Sequence, residues 1–213
     1  MKGVMPFYKN TEGRNLTKSG KAPYVEPDDL LLTFESLKGK HALRNKVILY
    51  FSHYLGLRAK ELAALKVNDV YDIKRKTLRE TIRLIGAYTK GDKYREVFLV
   101  NNDAKKYVLE YLIYDRTDIE LSSPLFQSQK ITNCRNGHFS ADTMQKMIAN
   151  VYKHAGIKAT SHSGRRSFAT NLINKNADIF SIQQLMGHSS IATTQEYFSS
   201  NPNKLKSELS KLN

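Results

Sequence analysis

The pattern that most restricts the fold is a change of hydrophobic period in the middle of the chain. Upstream, apolar residues recur at helical spacing: Leu30, Leu31, Phe34 and Leu37, then Leu43, Val47, Ile48, Phe51, Tyr54 and Leu55. Residues 77 to 100 instead partly alternate and are rich in Thr, Ile, Val and Tyr, as strands are. Lys90-Gly91-Asp92-Lys93 lies between two such runs and reads as a hairpin turn. From Asp103 onward the spacing is helical again, over about 103 to 115, 140 to 155, 164 to 174, 178 to 186 and 190 to 198. The expected class is α+β, mainly α-helical, with a small antiparallel sheet carrying a β-hairpin.

Local signals set the boundaries. Asp28 and Asp29 after Pro27 suit a helix start, because acids complement the positive N-terminal end. Gly39 is the expected stop of that helix, and Gly56 that of the next, which begins near Ala42. A short helix from Ala59 to Leu65 follows, and Ser140-Ala141-Asp142 supplies an N-cap further on. Residues 1–27 are polar and basic, with scattered Gly and Pro and too few apolar residues for a core, so they read as an arm or linker. Residues 28–200 then form the one domain that 213 residues suggest. In the tail, 201–213, Leu205, Leu209 and Leu212 make one apolar face of a short helix. Such a helix is marginal alone in water and has to dock, on its own core or on a neighbouring protomer.

Charge narrows the function classes. Thirty-four Lys plus Arg face 20 Asp plus Glu, a net +14. That excess favours polyanions, nucleic acid first and an anionic membrane surface second. The single cysteine, Cys134, excludes an internal disulfide and a multi-cysteine zinc site, and fits a reducing compartment. The opening MKGVMPFYKN has no apolar secretory core, and the uncharged run Val47 to Leu57 is too short to span a bilayer. A cytoplasmic protein without membrane attachment is expected. His41, His53, His138 and His154 lack metal-ligand spacing and read as surface or packing residues, as do Tyr50, Tyr54, Tyr107 and Tyr111.

Chemistry concentrates near the C-terminus. In Thr160-Ser161-His162-Ser163-Gly164-Arg165-Arg166 a His and an Arg three apart open a helix, close to its free N–H groups. That constellation favours a phosphate, although a solvated basic helix start has the same composition. Gly187-His188 and, nine residues later, Tyr197 follow. Upstream, Gly56-Leu57-Arg58-Ala59-Lys60-Glu61-Leu62 holds an Arg at a helix entry, and Thr89-Lys90-Gly91 puts a Lys on the hairpin. Each motif is weak alone.

The ordered set Arg58, Lys90, His162-x-x-Arg165, Gly187-His188 and Tyr197 resembles the catalytic domain of the tyrosine recombinases, the phage-integrase family. The resemblance covers about residues 28 to 200 and implies that family's catalytic fold. It implies that Arg58 and Arg165 clamp the non-bridging oxygens of a scissile DNA phosphate and neutralise transition-state charge. It implies that Tyr197 attacks phosphorus to form a 3′-phosphotyrosyl bond and that Lys90 protonates the departing 5′-oxygen. His162 would assist proton transfer, His188 would hydrogen-bond the phosphate, and Glu61 would steady Arg58. No metal, cofactor or ATP is implied, because the phosphotyrosine conserves the energy of the broken bond. The implied partners are a specific site in double-stranded DNA, a homotetramer on synapsed duplexes that is monomeric or weakly associated when free, and accessory DNA-bending proteins. The implied setting is a bacterial, phage or mobile-element protein associated with the nucleoid.

The chain also departs from the family. Many relatives read Asp-Leu-Arg-His where Ser163-Gly164-Arg165-Arg166 stands, and Gly164 costs helix stability, roughly 1 kcal/mol against Ala. Asn176 occupies a position where Gly is common; Asn tolerates the left-handed turn. Typical members carry an N-terminal helical domain, so a chain with only about 27 preceding residues looks like the single-domain type, such as the fimbrial-switch invertases, or like part of a longer protein. Integration, excision and inversion all remain open as outcomes. The competing readings are a topoisomerase IB-like enzyme, a non-catalytic DNA-binding accessory protein or repressor on the same fold, and a membrane-surface or RNA-binding basic protein.

Overall fold

A computed structural model describes residues 21–85, 94–116, 120–129, 137–199, 206 and 209–210. The elements run α1 (Pro27–Ser36), α2 (Ala42–Tyr54), α3 (Ala59–Ala64), α4 (Val67–Val70), β1 (Tyr71–Asp72), β2 (Thr77–Leu78), β3 (Thr81–Leu84), β4 (Arg95–Phe98) and α5 (Asn102–Glu110). After α5 a π-helical turn covers Tyr111–Asp115, and α6 (Ala141–His154), α7 (Ser163–Asn174), α8 (Ile179–Met186) and α9 (Ile191–Ser199) complete the order. The mainly helical α+β reading therefore holds. Among the described residues no helix is long and apolar enough to cross a membrane.

Helix α2 is the hub. Its apolar stripe predicts one buried face, yet Val47 to His53 are buried all round. The reason is its position: α7, α5, α3 and α6 all pack against it. Val47, Ile48, Leu49 and Phe51 are each at most 1% exposed, and each such side chain contributes about 1.5–3 kcal/mol on burial. Tyr54, placed on the stripe by its spacing, is 42% exposed and stacks on Tyr50 at 5.5 Å. Tyr50 in turn stacks on Phe34 and Tyr107, so these tyrosines are packing residues as expected.

Gly164 acquires a physical role that its helix propensity hides. A Cβ at this position would lie 2.8 Å from His53 Cδ2 and 2.9 Å from Ser52 Cβ on α2. The absence of a side chain lets α7 approach the hub closely, and that contact outweighs the propensity cost of glycine. Next to it, His53 Nε2 lies 2.7 Å from the Tyr152 hydroxyl of α6, both groups buried.

The sheet is smaller than residues 77 to 100 suggest. β3 and β4 pair antiparallel with Thr81 opposite Phe98 and Leu84 opposite Arg95. A second pair, β1 with β2, begins earlier than the alternation indicates. The turn expected at Lys90 to Lys93 lies outside the described residues, as does Cys134. Three boundaries also differ. α1 ends at Ser36, with Leu37 already extended, and Gly39 at φ +78° sits in the turn beyond. The α5 segment leaves α-helical geometry after Glu110. Residues 21–26, within the stretch expected to be an arm or linker, include Val25 at 2% exposure. Asn176 takes φ +62°, as its type allows. In the tail, Leu205 and Leu212 lie outside the described residues, and Leu209 is 65% exposed.

Candidate active site

α7, α8 and α9 form a second small core around Ala169, Ile173, Ile182 and Met186, with Tyr197 and Phe198 packed against it. The site lies where this unit meets the hub and β4. Arg58 is the N-cap residue of α3, and three positions on Glu61 turns back. Glu61 Oε2 accepts the Arg58 backbone N–H at 2.7 Å, a capping contact of the kind that starts helices. The same carboxylate pairs with the Arg58 side chain at 2.9 Å.

Glu61 is wholly buried and has a second partner that the sequence reading missed. Arg95, 6% exposed at its side chain, donates to Glu61 Oε2 at 2.6 Å and to Oε1 at 3.3 Å. Its Nη1 also reaches the Leu185 carbonyl at 2.5 Å. The available signal was register. In β4, Arg95 and Val97 are the inward pair, and a charge on an inward strand position demands a buried partner. Burial raises the Glu61 pKa, but the Arg95 and Arg165 charges and the Arg58 N–H more than offset it, so Glu61 stays ionised below the usual range.

The end of α8 supplies the other half of the frame. Arg165, in the first turn of α7, donates to the Gly56 carbonyl and to the Met186 carbonyl. Arg58 approaches the same Met186 carbonyl at 3.5 Å. The last carbonyls of a helix lack intrahelical donors and carry its negative end, so guanidiniums collect there. Gly187 closes α8 in the left-handed region at φ +59°. A Cβ there would come within 2.5 Å of Arg95 Cδ, so glycine is required both for the turn and for the arginine beneath it.

Three guanidiniums thus gather around one carboxylate, leaving these groups net positive. Burial, then the Arg58 and Arg95 charges, push Arg165 down to about 9, which still leaves it charged near neutrality. The same field acts on the histidines. Burial first, then Arg165 and Arg58, hold His162 below its ordinary value, and burial with those arginines and Arg95 brings His188 to about 4. Both imidazoles are therefore neutral at pH 7. His188 Nδ1 lies 2.9 Å from the Thr194 hydroxyl, and its ring stacks on Tyr197 at 6.0 Å and 18°.

A cleft of about 1160 Å³ opens over this frame, lined by Arg58, His162, Arg165, His188, Tyr197 and Lys21. The five sequence-picked residues among them come together from four separate elements, with Glu61 buried below. Lys90 lies outside the described residues. Lys21 and Thr194 were not picked, because nothing local marks either. Among the described residues no group of His, Cys, Asp or Glu could hold a metal ion.

The chain belongs to the phage integrase family, whose model matches residues 24–204. Among its relatives, the tyrosine recombinase XerD of Mycobacterium leprae (strain TN) is 34% identical over 197 residues, covering 88% of this chain and 58% of that protein. A solved structure of the XerA recombinase superposes with a TM-score of 0.70 at 31% identity, covering 89% of this chain and 64% of the other. The XerH site-specific recombinase bound to palindromic difH substrate in a post-cleavage complex gives 0.65 at 26% identity, covering 88% and 52%. The chain spans only about half to three fifths of the curated relatives it matches.

Proposed function

We propose that this chain is a site-specific DNA recombinase that cleaves and rejoins strands of double-stranded DNA through a 3′-phosphotyrosyl intermediate. The observation that carries the reading is the convergence of Arg58 and Arg165 on the Met186 carbonyl, under the cleft that also holds His162, His188 and Tyr197. Two fixed guanidiniums make a preorganised site for a phosphate and for the extra charge of a pentavalent transition state. They cost no reorganisation at the moment of reaction, because Glu61 and the Met186 carbonyl already hold Arg58, and the Gly56 and Met186 carbonyls hold Arg165.

In this mechanism the Tyr197 oxygen bonds to phosphorus and the bond from phosphorus to the 5′-oxygen breaks. Neutral His162 accepts the phenolic proton, and Lys90 gives a proton to the departing 5′-oxygen. With the Thr194 hydroxyl donating to Nδ1, His188 keeps Nε2–H for a non-bridging oxygen. The phosphotyrosine retains the energy of the cleaved linkage, so a second strand's 5′-hydroxyl can reverse the step and complete an exchange. Residues 28–200 would form the catalytic domain, with 1–27 as an arm or linker whose last residues, Tyr24 and Val25, pack on α7, and 201–213 as a tail exchanged between protomers of a DNA-bound homotetramer. Accessory DNA-bending proteins and a nucleoid setting belong to the same reading.

The experiment is capture of covalent adducts. The protein is expressed with candidate host or element DNA, denatured rapidly and recovered, and the attached DNA is sequenced. Enrichment at discrete sites that vanishes in Tyr197→Phe is the expected result. Folded protein that binds DNA yet yields no adduct, or an adduct that persists in Tyr197→Phe, overturns the reading.

A further inference from the structure

The segment before α1 is tied to the helix that carries Arg165 and reaches the one that carries Tyr197. Val25 is buried, its N–H donates to Ser167 Oγ at 3.0 Å, and its carbonyl accepts from the same hydroxyl at 3.3 Å. The Tyr24 hydroxyl donates to Asn171 Oδ1 at 2.8 Å. Both partners lie on α7, within two turns of Arg165. From this anchor the chain runs back across the catalytic cleft, where Lys21, Ala22 and Pro23 form part of the lining. Lys21 Nζ ends 3.2 Å from the Glu196 carbonyl, one residue before Tyr197.

That contact has a definite physical sense. α9 spans Ile191–Ser199 and carries no basic residue in its own last turn. A cation complements the negative end of a helix, and a side chain from outside can hydrogen-bond its last carbonyls. Lys21 supplies that cation from 175 residues away in sequence. Pro23 stiffens the connection to the anchor, so less freedom is lost in holding the ammonium there.

We propose that residues 21–25 are a strap that orders the last turn of α9 and so sets the presentation of Tyr197, with Lys21 as its positioning residue. The inference rests on Tyr197 being the nucleophile. It makes the strap a mechanical link between whatever precedes residue 21 and the nucleophile, so a pull on the arm would loosen the turn that holds the tyrosine.

The test uses the full chain with Lys21→Ala, Lys21→Glu and Lys21→Arg. Amide hydrogen exchange at residues 197–199 is measured without DNA, and the single-turnover rate of adduct formation is measured at saturating DNA. Loss of the cation should speed exchange and slow adduct formation, each roughly two- to fivefold in Lys21→Ala, more in Lys21→Glu, with Lys21→Arg close to the unsubstituted protein. DNA affinity and its salt slope should stay unchanged. A salt slope that falls by about one with an unaltered saturating rate would make Lys21 a phosphate contact and overturn the proposal. Unchanged exchange in Lys21→Glu also overturns it. A chain that forms no adduct in any version, yet exchanges faster in Lys21→Glu, sinks the recombinase reading and leaves the strap standing.

Discussion

Replacing Glu61 by glutamine probes the frame beneath the cleft. The Glu61 carboxylate accepts from the Arg58 backbone N–H, the Arg58 side chain and two nitrogens of Arg95. In Glu61→Gln the new amide would keep the shape but present an NH₂ to donors and remove the negative charge. The pair with Arg58 is worth little, about 1 kcal/mol or less, because the Arg58 side chain is 26% exposed. Arg95 is different: at 6% exposure it would become a buried cation without its carboxylate. Breaking such a pair costs about 3–5 kcal/mol, and the amide retains one acceptor oxygen, so about 3 kcal/mol is expected. With a urea slope near 2–3 kcal/mol per molar, the unfolding midpoint should fall by about 1 M. Circular dichroism is the readout, since the chain has no Trp. Arg95→Met in the same background should recover part of the loss, because it removes the stranded charge. A midpoint shift below about 0.3 M, or strictly additive losses in the double variant, would refute this account of the buried pair.

Two further predictions follow from packing and titration. Gly164→Ala gains about 1 kcal/mol of helix propensity, yet its Cβ enters space held by Ser52 and His53, so a net loss of about 1–2 kcal/mol is expected in urea unfolding; a stabilised variant would show that α7 and α2 are not in close contact. Burial holds His53 at about 3, against about 6.5 when unfolded, so the unfolded chain binds the extra proton between those values. Stability from this group is complete above about pH 6.5 and declines as pH falls toward 3, by about 2 kcal/mol at pH 5, and His162 and His188 act in the same direction. Equal urea midpoints at pH 7.5 and pH 5 would contradict it.

Much of the site was legible because its signals are local. Arg58 at a helix entry, His162 and Arg165 at another, Gly187-His188 at a helix stop and Tyr197 nine residues on are short patterns that keep their order whatever the chain does between them. Helix positions were legible for the same reason: periodicity records which positions are apolar. Periodicity does not record what meets a face, and so α2 looked half-exposed. A propensity scale likewise sees only the cost of Gly164, since the close approach of α2 is invisible to it.

The linear chain alone established the mainly helical class, the family pattern and the residues suited to phosphate chemistry, all of which rest on short local patterns and their order. Tertiary structure alone decided that Arg95 shares Glu61 with Arg58 across 34 residues, that the last carbonyls of α8 collect the guanidiniums, and that Lys21 meets α9 across 175. The physical reason is that a buried charge or a helix end needs a partner in space. Which residue supplies that partner depends on how distant elements pack, and no spacing along the chain encodes it.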